Sequence, residues 1–153
     1  MSQEDRRATA VLVVMASLVL LAGGTWFVGS LSAERRAAEA RWEERGPSSY
    51  AYTVSYCGGM CASCPVRVTV RDGAVVDAVA EEPGCTAPDP ADALTVEDLF
   101  DAAGNADQWL SSGSTTITYD ARWGFPRLIE TTCGEGTSDC GSSLSAADFT
   151  PLS

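Results

Sequence analysis

The chain contains no histidine and no lysine; all ten basic residues are arginines. Without imidazole it lacks the usual general base, so a Ser-His-Asp or Cys-His arrangement cannot be assembled. Without a lysine amine, Schiff-base chemistry is excluded as well. Positive charge is scarce where it would matter. From Gly46 onward four arginines stand against 15 Asp and Glu, which accounts for the entire net charge of −11. A face able to neutralise phosphates cannot be built from that stock, so no nucleic acid is expected as a partner. Carboxylates and thiols are what remains for chemistry.

Charge of either sign is missing from residues 8–33. At ~1.5 Å rise per residue such a run can cross a ~30 Å hydrocarbon core. Trp26 and Phe27 extend its apolar character beyond the length of a cleaved leader. The cleavage points after Ser30 and Ala33 are poor because Val28 and Leu31 occupy the −3 places. The pattern therefore predicts a cytoplasmic tail at 1–7, an uncleaved transmembrane signal anchor at 8–33 in contact with membrane lipid, a charged helical linker at 34–47 and an extracytoplasmic domain at 48–153. The protein is expected in the cell membrane, single-pass. The flanking arginines Arg35, Arg36, Arg41 and Arg45 argue for the opposite orientation. Six cysteines in so short a chain favour an oxidising compartment and outweigh them.

The remainder reads as one small domain. Tyr50, Tyr52, Val54 and Tyr56 alternate with small and polar residues, as do Val66, Val68 and Val70, so both stretches are strands. Asp72-Gly73 predicts a hairpin turn leading to a third strand, Ala74 to Ala80. If that turn carries a glycine bulge, Arg67 faces Asp77. Thr95 caps a helix with Asp98 reaching back, Leu94 staples onto Leu99, and Val96, Leu99, Phe100, Ala103 and Leu110 form its buried stripe, ending near Ser112-Gly113. Strands at Thr115–Tyr119 and Arg127–Cys133 follow, with a short last strand at Ala146–Leu152. The expectation is an α+β fold, β-β-β-α-β-β with that last short strand: one transmembrane helix, then a small antiparallel sheet with one packed helix, stapled by disulfides.

Trp42, Gly46-Pro47, Tyr50-Ala-Tyr-Thr-Val, Cys64-Pro65, Val66-Arg-Val-Thr-Val-Arg-Asp-Gly, Thr95-Val-Glu-Asp-Leu-Phe, Ile117-Thr-Tyr-Asp and Gly124-Phe-Pro stand in one order. In this the chain resembles a family of bacterial exported or lipid-anchored domains of unknown function. The resemblance implies an extracytoplasmic domain and no known activity. The chain departs from that family's usual form in lacking a lipid-attachment cysteine and in carrying Cys133 and Cys140.

Cys57, Cys61 and Cys64 have the spacing of an iron–sulfur ligand set, but the chain is too short for the associated barrel. Cys57, Cys61, Cys64 and Cys85 could ligate zinc. Disulfides fit both sets better, so neither cofactor nor metal is expected. Cys133 is expected to pair with Cys140 across a short glycine-rich loop. Of the three pairings open to the other four, the strand layout favours Cys57–Cys64 with Cys61–Cys85. Cys61-x-x-Cys64 also has the form of a thiol–disulfide exchange motif, but a proline and a strand follow it, not the helix that would lower the thiol pKa. Asp89, Asp92, Glu97, Asp98 and Asp101 read as a loop and a solvated helix start, since no calcium-loop pattern is present. The Tyr50, Tyr52, Tyr56 stripe reads as a core face. Trp123 and Phe125, in a turn, are candidates for partner contact. The expected function is non-catalytic, binding or structural, toward an envelope or extracellular protein that the sequence does not identify. The alternatives are exchange by Cys61 and Cys64, or an inhibitor-like module presenting the Trp123 turn.

Overall fold

The computed structural model describes residues 33–58, 63–106, 113–136 and 141–153. The chain divides into two compact units, Met1–Ala37 and Ala38–Ser153. In the first, the described residues 33–37 are helical. The second carries the fold below.

Helix α1 (residues 33–45) brings Ala38 and Trp42, four apart and so on one helix face, into the core. The segment read as a linker is thus part of the domain. Strands β1 (Tyr50–Gly58), β2 (Val66–Arg71) and β3 (Ala74–Ala80) form an antiparallel meander. Helix α2 (Val96–Asn105) follows a 3-10 turn at Pro90–Asp92. Strands β4 (Gly113–Tyr119), β5 (Pro126–Cys133) and β6 (Ser142–Pro151) form a second antiparallel meander. The sheet order is β3-β2-β1-β6-β5-β4. The last strand lies at the centre, paired to β1 from Tyr50↔Pro151 to Gly58↔Ser142, and it fuses the two meanders into one sheet.

The fold expected from the sequence is corrected in three respects. The described residues form a six-stranded antiparallel sheet with two packed α-helices, where one was expected. The final strand is ten residues long and central, not a short addition. No helix among the described residues is long and apolar enough to cross a membrane. Residues 8–32 of the expected anchor lie outside the described residues, and the single-pass membrane location read from it is withdrawn with it.

Local chemistry explains the element boundaries. Asp72 and Gly73 both have positive φ, 50° and 79°, which makes a two-residue turn of the type that matches strand twist. There is no glycine bulge in the turn. The register shifts instead between Thr69 and Val70, leaving Val76 as the extra residue, so Thr69 faces Asp77 and Arg67 faces Val79. The expected Arg67–Asp77 pair is therefore not formed. Arg67 Nη1 donates instead to the Asp148 carbonyl at 2.8 Å. Asp148 sits in the irregular stretch of β6 with φ 51°.

At α2, the Thr95 hydroxyl accepts from the Asp98 N–H and the Asp98 carboxylate accepts from the Thr95 N–H at 2.7 Å, a complete capping box. Its buried stripe is Val96, Leu99, Phe100 and Ala103. Leu110 and Ser112 lie outside the described residues.

The expected cysteine pairing is also corrected. Cys64 is bonded to Cys85, with Cα atoms 5.6 Å apart, and this tethers the loop after β3 to the start of β2. The pairs Cys57–Cys64 and Cys61–Cys85 are excluded by that bond. Both partners of the real bond flank the β2–β3 hairpin, and the two ends of a hairpin meet. Cys57 and Cys133 are each engaged in a disulfide as well. Cys61 and Cys140 lie outside the described residues.

Candidate binding cleft

The core side of β1 determines how the two helices sit. Tyr50 and Tyr52 point to one face, as period two requires, and both are buried. The Tyr50 hydroxyl accepts from the Val96 N–H at 3.0 Å, an otherwise orphaned donor of the first turn of α2. The Tyr52 hydroxyl donates to the Leu94 carbonyl at 2.5 Å. The start of α2 is therefore held on both sides of its cap by adjacent core tyrosines. Burial pushes both phenols well above the ordinary tyrosine range. At Tyr50 the Val96 N–H partly opposes the shift, and Glu97 and Asp98 add to it. At Tyr52 the neighbouring Tyr50, Asp98 and Glu97 act in the same direction as burial. Tyr56, on the same stripe, is 63% exposed and stands outside the core.

Trp42 joins the helices. Its ring meets Tyr50, Phe125 and Phe149 edge-on, at centroid distances of 5.5, 6.5 and 5.9 Å. Its indole N–H donates to Glu97 Oε1 of α2 at 2.9 Å. Between the helices and the β2–β3 turn lies a cleft of about 530 Å³. Its walls carry five carboxylates: Glu39 and Glu43 from α1, Asp72 from the turn, and Glu97 and Asp101 from α2. Trp42 and Phe100 give it an apolar lining, and no arginine lines it among the described residues. Two of these pairs, Glu39/Glu43 and Glu97/Asp101, are spaced four apart, so each stands on one helix face.

Among the described residues no three acidic or thiol groups come close enough together to hold one metal ion. The cleft therefore offers a field of negative charge over an aromatic lining, not a chelating cage. Such a surface favours a spread-out organic cation, such as an arginine or lysine side chain, which gains both from carboxylates and from aromatic rings.

The residues singled out for partner contact lie elsewhere. Phe125 is 2% exposed, stacks on Phe149 at 4.9 Å and belongs to the core. Trp123 is half-buried, with the Arg122 guanidinium 4.7 Å from its ring centroid. It lines a smaller cleft of about 280 Å³ with Arg122, Arg127 and Asp120. The Asp120 carboxylate accepts from the Arg122 and Trp123 N–H groups, which shapes that turn. Cys64, half of the supposed exchange pair, is bonded to Cys85 and not to Cys61. The acidic cleft was missed in the sequence. Its two helical acid pairs were visible as spacings, but nothing local shows that they face each other.

No curated protein and no solved structure matches the chain. Residues 34–151 match the model of a family of unknown function, DUF6174. The match begins in α1 and runs to the last residue of β6, so among the described residues it takes in all six strands, α2 and nearly all of α1. The chain is a member of the DUF6174 family.

Proposed function

We propose that this domain is a non-catalytic binding module that takes a cationic segment of a partner protein in the cleft between α1, α2 and the β2–β3 turn. The observation that carries the reading is the lining of that cleft, five carboxylates around Trp42 and Phe100. The composition supports it: the chain has no histidine or lysine for acid–base or Schiff-base work. Thiol–disulfide exchange is less well supported, because Cys64 is engaged with Cys85.

The test is a titration of the full chain with an arginine- and lysine-rich peptide and with an acidic peptide of equal length, at low and high salt. The basic peptide should bind, and binding should weaken as the Debye length shrinks from ~30 Å at 0.01 M to ~8 Å at 0.15 M. Glu39→Gln with Glu43→Gln should weaken it further while leaving the fold intact. Failure of the basic peptide to bind at low salt, or binding indifferent to the double variant, would overturn the proposal.

A further inference from the structure

The sheet is open, so it has two edges, β3 and β4, and they are built differently. Natural sheets blunt their edges with bulges, charges or prolines, because unpaired N–H and C=O groups otherwise template a new strand. The β3 edge carries such devices. Val76 is bulged, Asp77 stands at its centre, and the 3-10 turn lies against it. An antiparallel copy paired about the centre of β3 would set Asp77 against Asp77.

The β4 edge carries none of them from Gly113 to Thr118. Its sequence, Gly-Ser-Thr-Thr-Ile-Thr-Tyr, has no charge and no proline. Its register against β5 is unbroken from Gly113↔Cys133 to Thr118↔Leu128. Threonine, isoleucine and tyrosine are the residue types that pleated strands favour. Ser114, Thr116 and Thr118 are exposed. Among the described residues no strand lies beyond β4.

We infer that β4 is a self-association edge, on which β4 of a second copy pairs antiparallel about a twofold axis at Thr116. In that register Thr116 faces Thr116 of the second copy, Thr115 faces Ile117, and Ser114 faces Thr118. Every pair keeps its side chains on matching faces, as a closed twofold interface requires. A second copy fits because β4 is a neutral seam on a domain that otherwise repels itself: the nearest ladder charge is Glu130, directly opposite Thr116 on β5. The two Glu130 side chains would then stand three strand spacings apart, ~14 Å, beyond the screening length at physiological salt. One strand pair is a small interface, so the association is weak and depends on concentration.

The test uses the full chain and two oppositely charged variants at the axis, Thr116→Arg and Thr116→Glu, with mass measured by light scattering over a concentration series. Thr116→Arg places the new charge opposite Glu130 on β5, so that variant should retain the fold, which circular dichroism checks. The unmodified chain should pass from monomer to dimer as concentration rises. Each variant alone should stay monomeric, and an equimolar mixture of the two should recover the dimer, because unlike charges then meet at the axis. Asp77→Glu, which keeps the charge on the other edge, should leave the behaviour of the unmodified chain unchanged. A monomer throughout, association that persists in each variant alone, or a mixture that stays monomeric would each overturn the inference. Association through residues 8–33 would be indifferent to position 116 and is separated by the same comparison.

Discussion

Trp42 and Glu97, 55 residues apart, are joined by a 2.9 Å hydrogen bond from indole to carboxylate that ties α1 to α2 at the rim of the acidic cleft. The bond gives the cleft a fixed wall: Glu97 faces it while anchored to a core ring. Trp42→Phe keeps an aromatic ring but removes the donor and part of the packing. It should cost about 2 kcal/mol, in the range of bonds to charged groups. Glu97→Gln keeps an acceptor and should cost under ~1 kcal/mol. Urea denaturation of both variants measures the difference. Equal, negligible losses would mean that α1 is not held by this bond.

The tyrosine pair predicts alkaline behaviour. The folded state raises both phenol pKa values through burial, so it binds their protons more tightly than the unfolded chain does. Stability from this source is complete below the unfolded value of ~10 and is lost as pH rises from there toward the folded values. The slope is at most ~1.4 kcal/mol per pH unit for each tyrosine. Tyr52→Phe should flatten the loss above pH ~10 while costing ~1–3 kcal/mol at neutral pH, because the Leu94 carbonyl loses its donor. Denaturation midpoints at a series of alkaline pH values test this, and unchanged slopes in Tyr50→Phe and Tyr52→Phe would refute it.

Gly124, with φ 93°, lies so close to α1 that a Cβ there would be 2.2 Å from the Ala38 carbonyl oxygen. Gly124→Ala therefore combines backbone strain with a clash against main chain that cannot swing aside. A loss above ~2 kcal/mol is expected, with a change in Trp42 packing visible in the near-ultraviolet circular dichroism. A tolerated alanine would show that the β4–β5 turn and α1 approach less closely than this.

Replacing Cys64 and Cys85 together by alanine opens a bond that spans 21 residues. Restriction of the unfolded chain by a loop of that size contributes ~3 kcal/mol. Thermal and chemical unfolding of the double variant should show a loss of that order, and peptide mapping of the unmodified chain under non-reducing conditions should recover Cys64 linked to Cys85. Recovery of Cys64 linked to Cys57 would contradict the structure.

Much of the local architecture was written in nearby residues. Asp72-Gly73 specifies its turn because both positions must reach positive φ. Thr95 and Asp98 specify a helix start because their side chains satisfy each other's N–H groups three residues apart. Period two placed Tyr50, Tyr52, Val66, Val68 and Val70 on a buried face, where the structure has them. These signals act within a few residues, so they survive being read one at a time. The absence of histidine and lysine, and the concentration of acid after Gly46, likewise belong to the sequence alone.

The rest depended on contacts that no local pattern encodes. Helix α1 reads as a charged linker because its buried side is thin, yet Ala38 and Trp42 are enough once Phe125, Phe149 and Tyr50 supply the other side of the contact. The short final pattern of β6 gives no hint that it pairs with both β1 and β5. A central place is decided by which strands leave an edge open, a property of the whole sheet. The tight Asp72-Gly73 turn and the extra residue at Val76 together set Arg67 opposite Val79 and not Asp77, and the Asp148 carbonyl, 81 residues on, accepts from the arginine instead. Cys64 found Cys85 because the ends of a hairpin meet in space, whatever their order along the chain. The acidic cleft is the same kind of outcome: its carboxylates stand on three separate elements, and only the packing of α1 and α2 against the sheet turned them toward a common space.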